Sequence, residues 1–420
     1  MLKIRSIDDL DVRNARVLLR VDINCPLDGA SGAIADDSRL QKSLPTIRDL
    51  VDRGARLVLI AHQGDTLDYH NLASLRNHAE RLTELLGQTV GFIDDIAGPA
   101  ARQAIVQLAP GEILLLENLR FLTEEVSTFE TAVKLTAAEM TQTYLVRGLA
   151  PLFDYYVNDA FAAAHRNSPS MVAFQELLPT AAGRLLAAEL EALDGLKENP
   201  ARPCVFLLGG LKISDAFGMM ERILSEGVAD SVLTSGIVGQ IMLMADGVDL
   251  GEPSEDFIRD RSLHRFIGPA AAYLAEYRDV IRMPLDVACD ISGERREFAV
   301  TDLPAPAAIT DIGPETIALY REIVEGAATL FVNGPAGVYE SEVSEVGTRA
   351  LWSAVAEASG SSVIGGGDTV ASARRFISLD DIDLVSTGGG ALIRYLSGMP
   401  LPLVEAMQQG AERDAARPGG

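Results

Sequence analysis

The chain has 420 residues, 48% hydrophobic and 23% charged, with three cysteines and a formal net charge of −24 from 36 basic and 60 acidic side chains. That length and balance exclude a disulfide-stapled miniprotein, a disordered chain and a coiled coil, and no apolar run reaches the roughly 18 residues of a membrane span. The acidic excess excludes a broad nucleic-acid footprint and argues against a membrane-surface protein, since both need a basic face, but it leaves room for a small anion held by a local basic cluster.

In chain order, β-rich apolar runs alternate with amphipathic helical patterns. Strands are predicted at Val17–Val21, Leu57–Ala61, Val90–Ile93, Ile113–Leu116 and Tyr155–Asn158, with helices such as Leu40–Arg53 and Ser74–Leu86 between them. A long helical pattern, Ala181–Lys197, ends at Glu198-Asn199-Pro200, where proline stops a helix. Strands follow at Cys204–Leu208, Ser231–Thr234, Val280–Met283, Ala328–Val332, Ser362–Ile364 and Leu384–Ser386, and helices at Asp215–Ser225, Pro314–Glu325, Val346–Ala358 and Thr369–Phe376. This alternation implies βαβ units and parallel sheets. About eleven strands overfill one sheet, so the expectation is an α/β protein of two Rossmann-like lobes, divided near the Ala181–Lys197 helix. The polar end Glu412–Gly420 reads as a frayed tail.

The N-terminal stretch MLKIRSIDDLDVR lacks the apolar core of a secretory signal. Cys25, Cys204 and Cys289 form no CxxC pair and no metal-ligand spacing. Both features fit a reducing, cytoplasmic compartment, with each thiol a small buried hydrophobe.

In doubly wound sheets ligands sit beyond the carboxyl ends of the strands. In the first half those ends supply Asp22 and Asn24, then Arg39; His62, Gln63, Gly64 and Asp65; Glu117, Asn118 and Arg120; and Asp159, His165 and Arg166. One exposed arginine is ordinarily solvated or weakly paired. Several converging on strand ends in a chain this acidic make a cradle for a small molecule carrying phosphate and carboxylate. In the second half the strand ends are glycine-rich: Gly209-Gly210-Leu211-Lys212, Asn333-Gly334-Pro335-Ala336-Gly337, Gly365-Gly366-Gly367-Asp368-Thr369 and Gly388-Gly389-Gly390. Such turns bring backbone N–H groups and helix N-termini close to phosphates. No Walker A pattern is present. Lys212 can reach phosphate oxygens, and Asp368 can cap a helix or hold the Mg²⁺ of a nucleotide. An anion cradle in one lobe and a nucleotide cradle in the other point to a kinase.

These residues carry a resemblance. The segments LLRVDINCPL, DDSRLQKSLPTI, IAHQG, GEILLLENLRF, YVNDAFAAAHR, LGGLKISD, ITDIGPETI, FVNGPAGVYE, IGGGDT and STGGGA match, in order and spacing, those of the phosphoglycerate kinases, and the HQG and NDAFAAAHR forms resemble the archaeal branch. The resemblance implies reversible transfer between ATP and the carboxylate of 3-phosphoglycerate, with Mg²⁺. It implies that Asp22, Asn24, Arg39, His62, Gln63, Gly64, Asp65, Arg120 and Arg166 line the phosphoglycerate site. Arg39 and Lys212 would act on the transferring phosphoryl group, Glu340 on the ribose, and Gly366, Gly367, Asp368 and Thr369 on phosphates and metal, with Asp368 the metal ligand. It also implies an N-terminal lobe at 1–180, a C-terminal lobe at 181–390, a return segment at 391–409 and a flexible tail at 410–420. The partners implied are small molecules, with neither nucleic acid nor membrane, and the chain would be a monomer or homodimer.

Two departures stand out. Asp65 replaces a residue that is usually basic, adding like charge beside a phosphate. Ala216 replaces a second lysine common outside the archaeal branch. Leu211, Ala336 and Tyr339 also differ from the usual Ala, Met and Phe. Asp65 motivates an alternative, a paralogue that forms an acyl phosphate on a related phosphorylated carboxylate. A third reading, a non-catalytic nucleotide-binding protein, predicts loss of the transfer residues, yet Arg39, Lys212 and Asp368 are all present.

Overall fold

In the first strand, β1 (Arg16–Arg20), Val17, Leu18 and Leu19 are all fully buried. A strand covered on both faces belongs to a parallel sheet flanked by helices. The computed structural model describes residues 4–29, 31–64, 72–198 and 200–415. The chain divides into two compact units, Met1–Glu191 with Pro400–Gly420, and Ala192–Met399; the division falls inside the helix Arg184–Glu198.

The first unit is built on a six-stranded sheet. Besides β1 it contains β2 (Arg56–Ile60), β3 (Val90–Ile93), β4 (Ile113–Leu116), β5 (Tyr155–Asn158) and β6 (Thr180–Ala182), in the order β3-β4-β2-β1-β5-β6, with every pairing parallel. The chain leads away from β1 to β2 on one side and later to β5 on the other. That reversal of strand order opens a crevice at the carboxyl ends. Helices Ser38–Asp52 and Arg76–Leu86 turn Leu40, Ile47, Leu50, Ala79 and Leu82 into the core under the sheet.

The first five strands lie within a residue of the positions the hydrophobic pattern predicts. β6 differs. The helix expected from Ala181 begins at Arg184, and Thr180–Ala182 pairs with Tyr156–Asn158. Three small residues carry no readable period, and the pairing is fixed by backbone bonds, Tyr156 N–H to Pro179 O at 3.0 Å and Gly183 N–H to Asn158 O at 2.9 Å. Gly183 is required here, because a Cβ would fall 2.3 Å from Oδ1 of Asp159. Arg184 anchors the helix start, donating to Asp49 Oδ2 at 2.9 Å and Asp8 Oδ2 at 2.7 Å.

The helix Pro402–Ala415 packs within this unit. Leu403 N–H donates to Ala164 O at 3.2 Å, and Arg413 pairs with Glu176 at 2.9 Å. The segment expected as a tail is thus helical to Ala415; residues 416–420 lie outside the described residues.

The second unit holds β7 (Cys204–Leu208), β8 (Ser231–Thr234), β9 (Ile281–Arg282), β10 (Asp286–Ile291), β11 (Glu294–Ala299), β12 (Ile309–Ile312), β13 (Thr329–Asn333), β14 (Ser361–Ile364) and β15 (Leu384–Val385). Six of them form a parallel sheet ordered β15-β14-β13-β7-β8-β9, and β11-β10-β12 form an antiparallel sheet. Strand order reverses at β7, between β13 and β8. Asp286 on β10 accepts through its carboxylate from Glu315 N–H at 2.9 Å and Thr316 N–H at 2.8 Å, satisfying the open N-terminus of the helix Pro314–Glu325. Among the described residues no helix is long and apolar enough to cross a membrane.

Candidate active site

In the first unit the residues singled out by position lie just past the ends of β1, β2, β4 and β5. Asp22 is buried and its carboxylate accepts from Arg39 Nη1, while a third of the Arg39 side chain stays exposed. Asn24 accepts at Oδ1 from Gly64 N–H, 2.9 Å away, joining the loops after β1 and β2. Gly64 has φ of +89°, in the left-handed region that favours glycine. His62 is 8% exposed, and its Nδ1 lies 2.7 Å from Nη2 of Arg20. Burial, and then the charges of Arg20, Arg120, Arg166 and Arg39, hold its imidazole well below the usual range. Arg120 is buried and donates through Nη1 to the carbonyl of Glu125. Arg166 donates to Ser127 Oγ at 3.0 Å. The arginine charges thus act together on the His62 ring. Asp65 lies outside the described residues.

The Gln63 amide is turned into the protein. Its Oε1 accepts from Cys25 N–H at 3.0 Å and faces His78 Nε2 at 3.0 Å, and its Nε2 donates to Cys25 O at 2.8 Å. The amide is spent inside the protein and only 4% of the residue is exposed. It braces the loops that carry Asn24, His62 and Gly64. Arg20 and Glu125 were missed. Glu125 is 3% exposed and accepts from Ser170 N–H at 2.6 Å and Ser170 Oγ at 2.7 Å. Burial raises its carboxyl, opposed by those Ser170 bonds and by Arg20 and Arg120. The available signal was an arginine closing the apolar run of β1.

In the second unit a cavity of about 870 Å³ opens at the carboxyl ends of β7 and β13, and Lys212, Glu340, Gly366, Gly367, Asp368 and Thr369 all line it. Its floor is backbone packed on backbone. A Cβ on Gly334 would fall 2.2 Å from Gly209 O. Part of the glycine pattern therefore serves loop contact rather than ligand approach. Gly367 opens the helix Gly367–Phe376, lines the cavity and has open space where a Cβ would stand. Thr369 is buried, and its Oγ1 accepts from Gly334 N–H at 2.8 Å; the hydroxyl clamps the β13 loop and retains its own proton to donate. Lys212 Nζ lies 3.5 Å from Asp368 Oδ2, both more than half exposed.

Deeper in, the wall is apolar, with Leu243, Val287 and Ile309, and with the Arg261 guanidinium stacked 3.7 Å over the Phe257 ring. This combination of phosphate-sized loops and an apolar slot suits a nucleotide. Ala216, where a second lysine was noted as missing, is fully buried in the helix Ile213–Ser225 and is not among the residues that line the cavity. Among the described residues no group of three or more His, Cys, Asp or Glu side chains can hold a metal ion. Asp368 fits the other mode, a single carboxylate sharing a magnesium ion with nucleotide phosphates.

The sequence model of the family described as phosphoglycerate kinase matches residues 7–399. A phosphoglycerate kinase from Methanothermobacter thermautotrophicus is 44% identical over 407 residues, covering 97% of each chain. One from Halobacterium salinarum is 43% identical over 409 residues, covering 97% of this chain and all of that one. The crystal structure of phosphoglycerate kinase from Pyrococcus horikoshii superposes with a TM-score of 0.86 at 37% identity, over 97% of this chain and 100% of that one. Family match, relatives and fold agree: this chain belongs to the phosphoglycerate kinase family, phosphotransferases with a carboxyl group as acceptor.

Proposed function

We propose that the chain transfers the γ-phosphoryl group of MgATP reversibly to the carboxylate of 3-phosphoglycerate, giving 1,3-bisphosphoglycerate and MgADP. The observation that carries this reading is the cationic cradle at the strand ends of the first unit, built in a chain of net charge −24. A carboxylate is already an anionic nucleophile and needs no general base. The protein's task is to neutralise charge and to align donor with acceptor.

In this reading Arg120, Arg166 and the His62 imidazole hold the substrate phosphate, while Asn24 and Gly64 shape the loop beside it. Arg39, oriented by Asp22, serves the carboxylate that receives the phosphoryl group. Lys212 stabilises the charge on the transferring oxygens, the backbone amides at Gly366 and Gly367 hold the nucleotide phosphates, and Glu340 takes the ribose hydroxyls. Asp368 holds the magnesium ion, which when bound offsets phosphate charge. With that carboxylate engaged, the Lys212 ammonium, 3.5 Å from it here, would be available to phosphate. The buried thiols Cys25, Cys204 and Cys289 suit a reducing cytoplasm.

Titration calorimetry tests the site. Replacing Arg166 by Met should weaken 3-phosphoglycerate binding by roughly ten- to a hundredfold, the worth of a charge-assisted contact, and leave MgADP binding unchanged. Unaltered 3-phosphoglycerate affinity would remove Arg166, and with it the cradle, from the proposal.

A further inference from the structure

His62 and Arg20 meet in a way that fixes the chemistry of the imidazole. Arg20 closes β1 and is 2% exposed. Its Nη1 donates to Val21 O, its Nε lies 3.4 Å from Ser170 Oγ, and its Nη2 lies 2.7 Å from His62 Nδ1. Every polar atom of this side chain is thus turned into the protein. Burial lowers its pKa, opposed by Glu125 and Asp22; a guanidinium nevertheless stays charged in proteins and has donors but no acceptor. Nδ1 of His62 must therefore present its lone pair to Arg20. A neutral ring with Nδ1 unprotonated carries its proton on Nε2.

We infer that Arg20 is a positioning residue that locks His62 in the Nε2–H tautomer, so that the ring meets the substrate anion as a neutral hydrogen-bond donor. The inference rests on the reading above, in which His62 faces the phosphoglycerate. An ionised phosphate or carboxylate only accepts. The opposite tautomer would aim a nitrogen lone pair at it, and the contact would turn repulsive. The largest charge effects on the ring come from four segments: Arg20 on β1, Arg39 on the helix Ser38–Asp52, Arg120 after β4 and Arg166 after β5, with the carboxylates of Asp22 and Glu125 behind Arg39 and Arg20. The arginines together oppose an imidazolium. Behind Arg20, Ser170 donates to Glu125 Oε2, and Ser168 Oγ donates to the same oxygen at 3.3 Å. Glu125 thus supplies the buried counter-charge that lets Arg20 stay in place.

The test is nuclear magnetic resonance on the full chain with isotope-labelled histidine, the His62 signal being identified by its absence in His62→Gln. In the wild type, His62 should be unprotonated at Nδ1 and protonated at Nε2, with no titration between about pH 5.5 and 8.5. In Arg20→Met the signal should become a tautomer mixture, while burial and the remaining arginines still hold the imidazole below its usual range. Arg20→Lys keeps a donor at Nδ1 and should restore the wild-type signature. In Arg20→Met the KM for 3-phosphoglycerate should rise on the order of tenfold, with the KM for MgATP unchanged. A wild-type His62 protonated at Nδ1, or titrating like a free imidazole, overturns the inference even if Arg20→Met does not fold. Saturating 3-phosphoglycerate should shift the Nε2–H signal. An unshifted signal with the tautomer intact would instead refute the substrate role of His62, which separates the two failures.

Discussion

At Gln63 three hydrogen bonds tie the loop after β2 to Cys25 and His78. His78 is itself pushed down to about 4 by burial, so near neutral pH it is an uncharged partner. Replacing Gln63 by Leu leaves the Cys25 backbone groups and a buried imidazole without that partner, at a cost of about 2–3 kcal/mol in unfolding free energy. The variant should also raise the KM for 3-phosphoglycerate and leave the KM for MgATP alone, because the braced loops carry Asn24, His62 and Gly64; urea melts and steady-state kinetics read the two effects. Lys212→Ala is the opposite case. The side chain is more than half exposed, so stability should hold within error while kcat falls roughly 100- to 1,000-fold, the loss typical of a missing transition-state donor. An unchanged kcat would remove Lys212 from the transfer step. The sequence made Lys212 legible because lysine is scarce here and this one follows a Gly-Gly strand end. It did not separate Gln63, whose amide is bonded within the protein, from His62, the proposed substrate contact. Both occupy the same strand-end motif, and only the hydrogen bonds tell them apart.

Among the elements, the helix Arg184–Glu198 starts on a buried carboxylate. Asp159 accepts from Leu186 N–H at 3.0 Å, and burial pushes its pKa up to about 6, with hydrogen bonds from Thr46 and the Leu186 backbone opposing. A carboxyl raised from the ordinary value of 3.8 to about 6 binds more protons folded than unfolded between those limits. Its contribution therefore falls as pH rises through that window and is constant above it. Asp159→Asn keeps the acceptor for Leu186. Relative to wild type it should gain about 2 kcal/mol as pH rises from about 4 to 7, measured by denaturant unfolding at both ends. A difference independent of pH would show that Asp159 does not titrate this way.

The parallel strands were readable because buried parallel strands are continuous apolar runs. The antiparallel sheet was not. β11 reads ERREFA, and its charged side chains lie largely toward solvent. Its place is set by register with β10 and by Arg295, which donates to Asp311 Oδ2 at 2.9 Å and to Ile312 O at 2.6 Å. Neither long-range contact leaves a trace in local periodicity. β6 escaped notice for the same reason.

For the whole molecule the dominant fact is the net charge of −24. Self-repulsion at that charge opposes the compact state and is screened over about 10 Å at 0.1 M salt. Raising salt from low to molar concentration should lift the melting temperature by about 3 °C or more, roughly what 1 kcal/mol gives for units of this size. The same salt should raise the KM for 3-phosphoglycerate, since the proposed anion cradle would work by charge. A melting temperature that falls with salt would mean that the ion pairs, such as Arg184 with Asp8 and Asp49, outweigh the repulsion. The measurement that most directly tests the central claim is a coupled steady-state assay with 3-phosphoglycerate and MgATP, at low and at high salt. The account predicts saturable turnover in both substrates that is abolished when magnesium is chelated. Absence of turnover in a folded chain that still binds MgATP would contradict it and move the assignment to a different carboxylate acceptor.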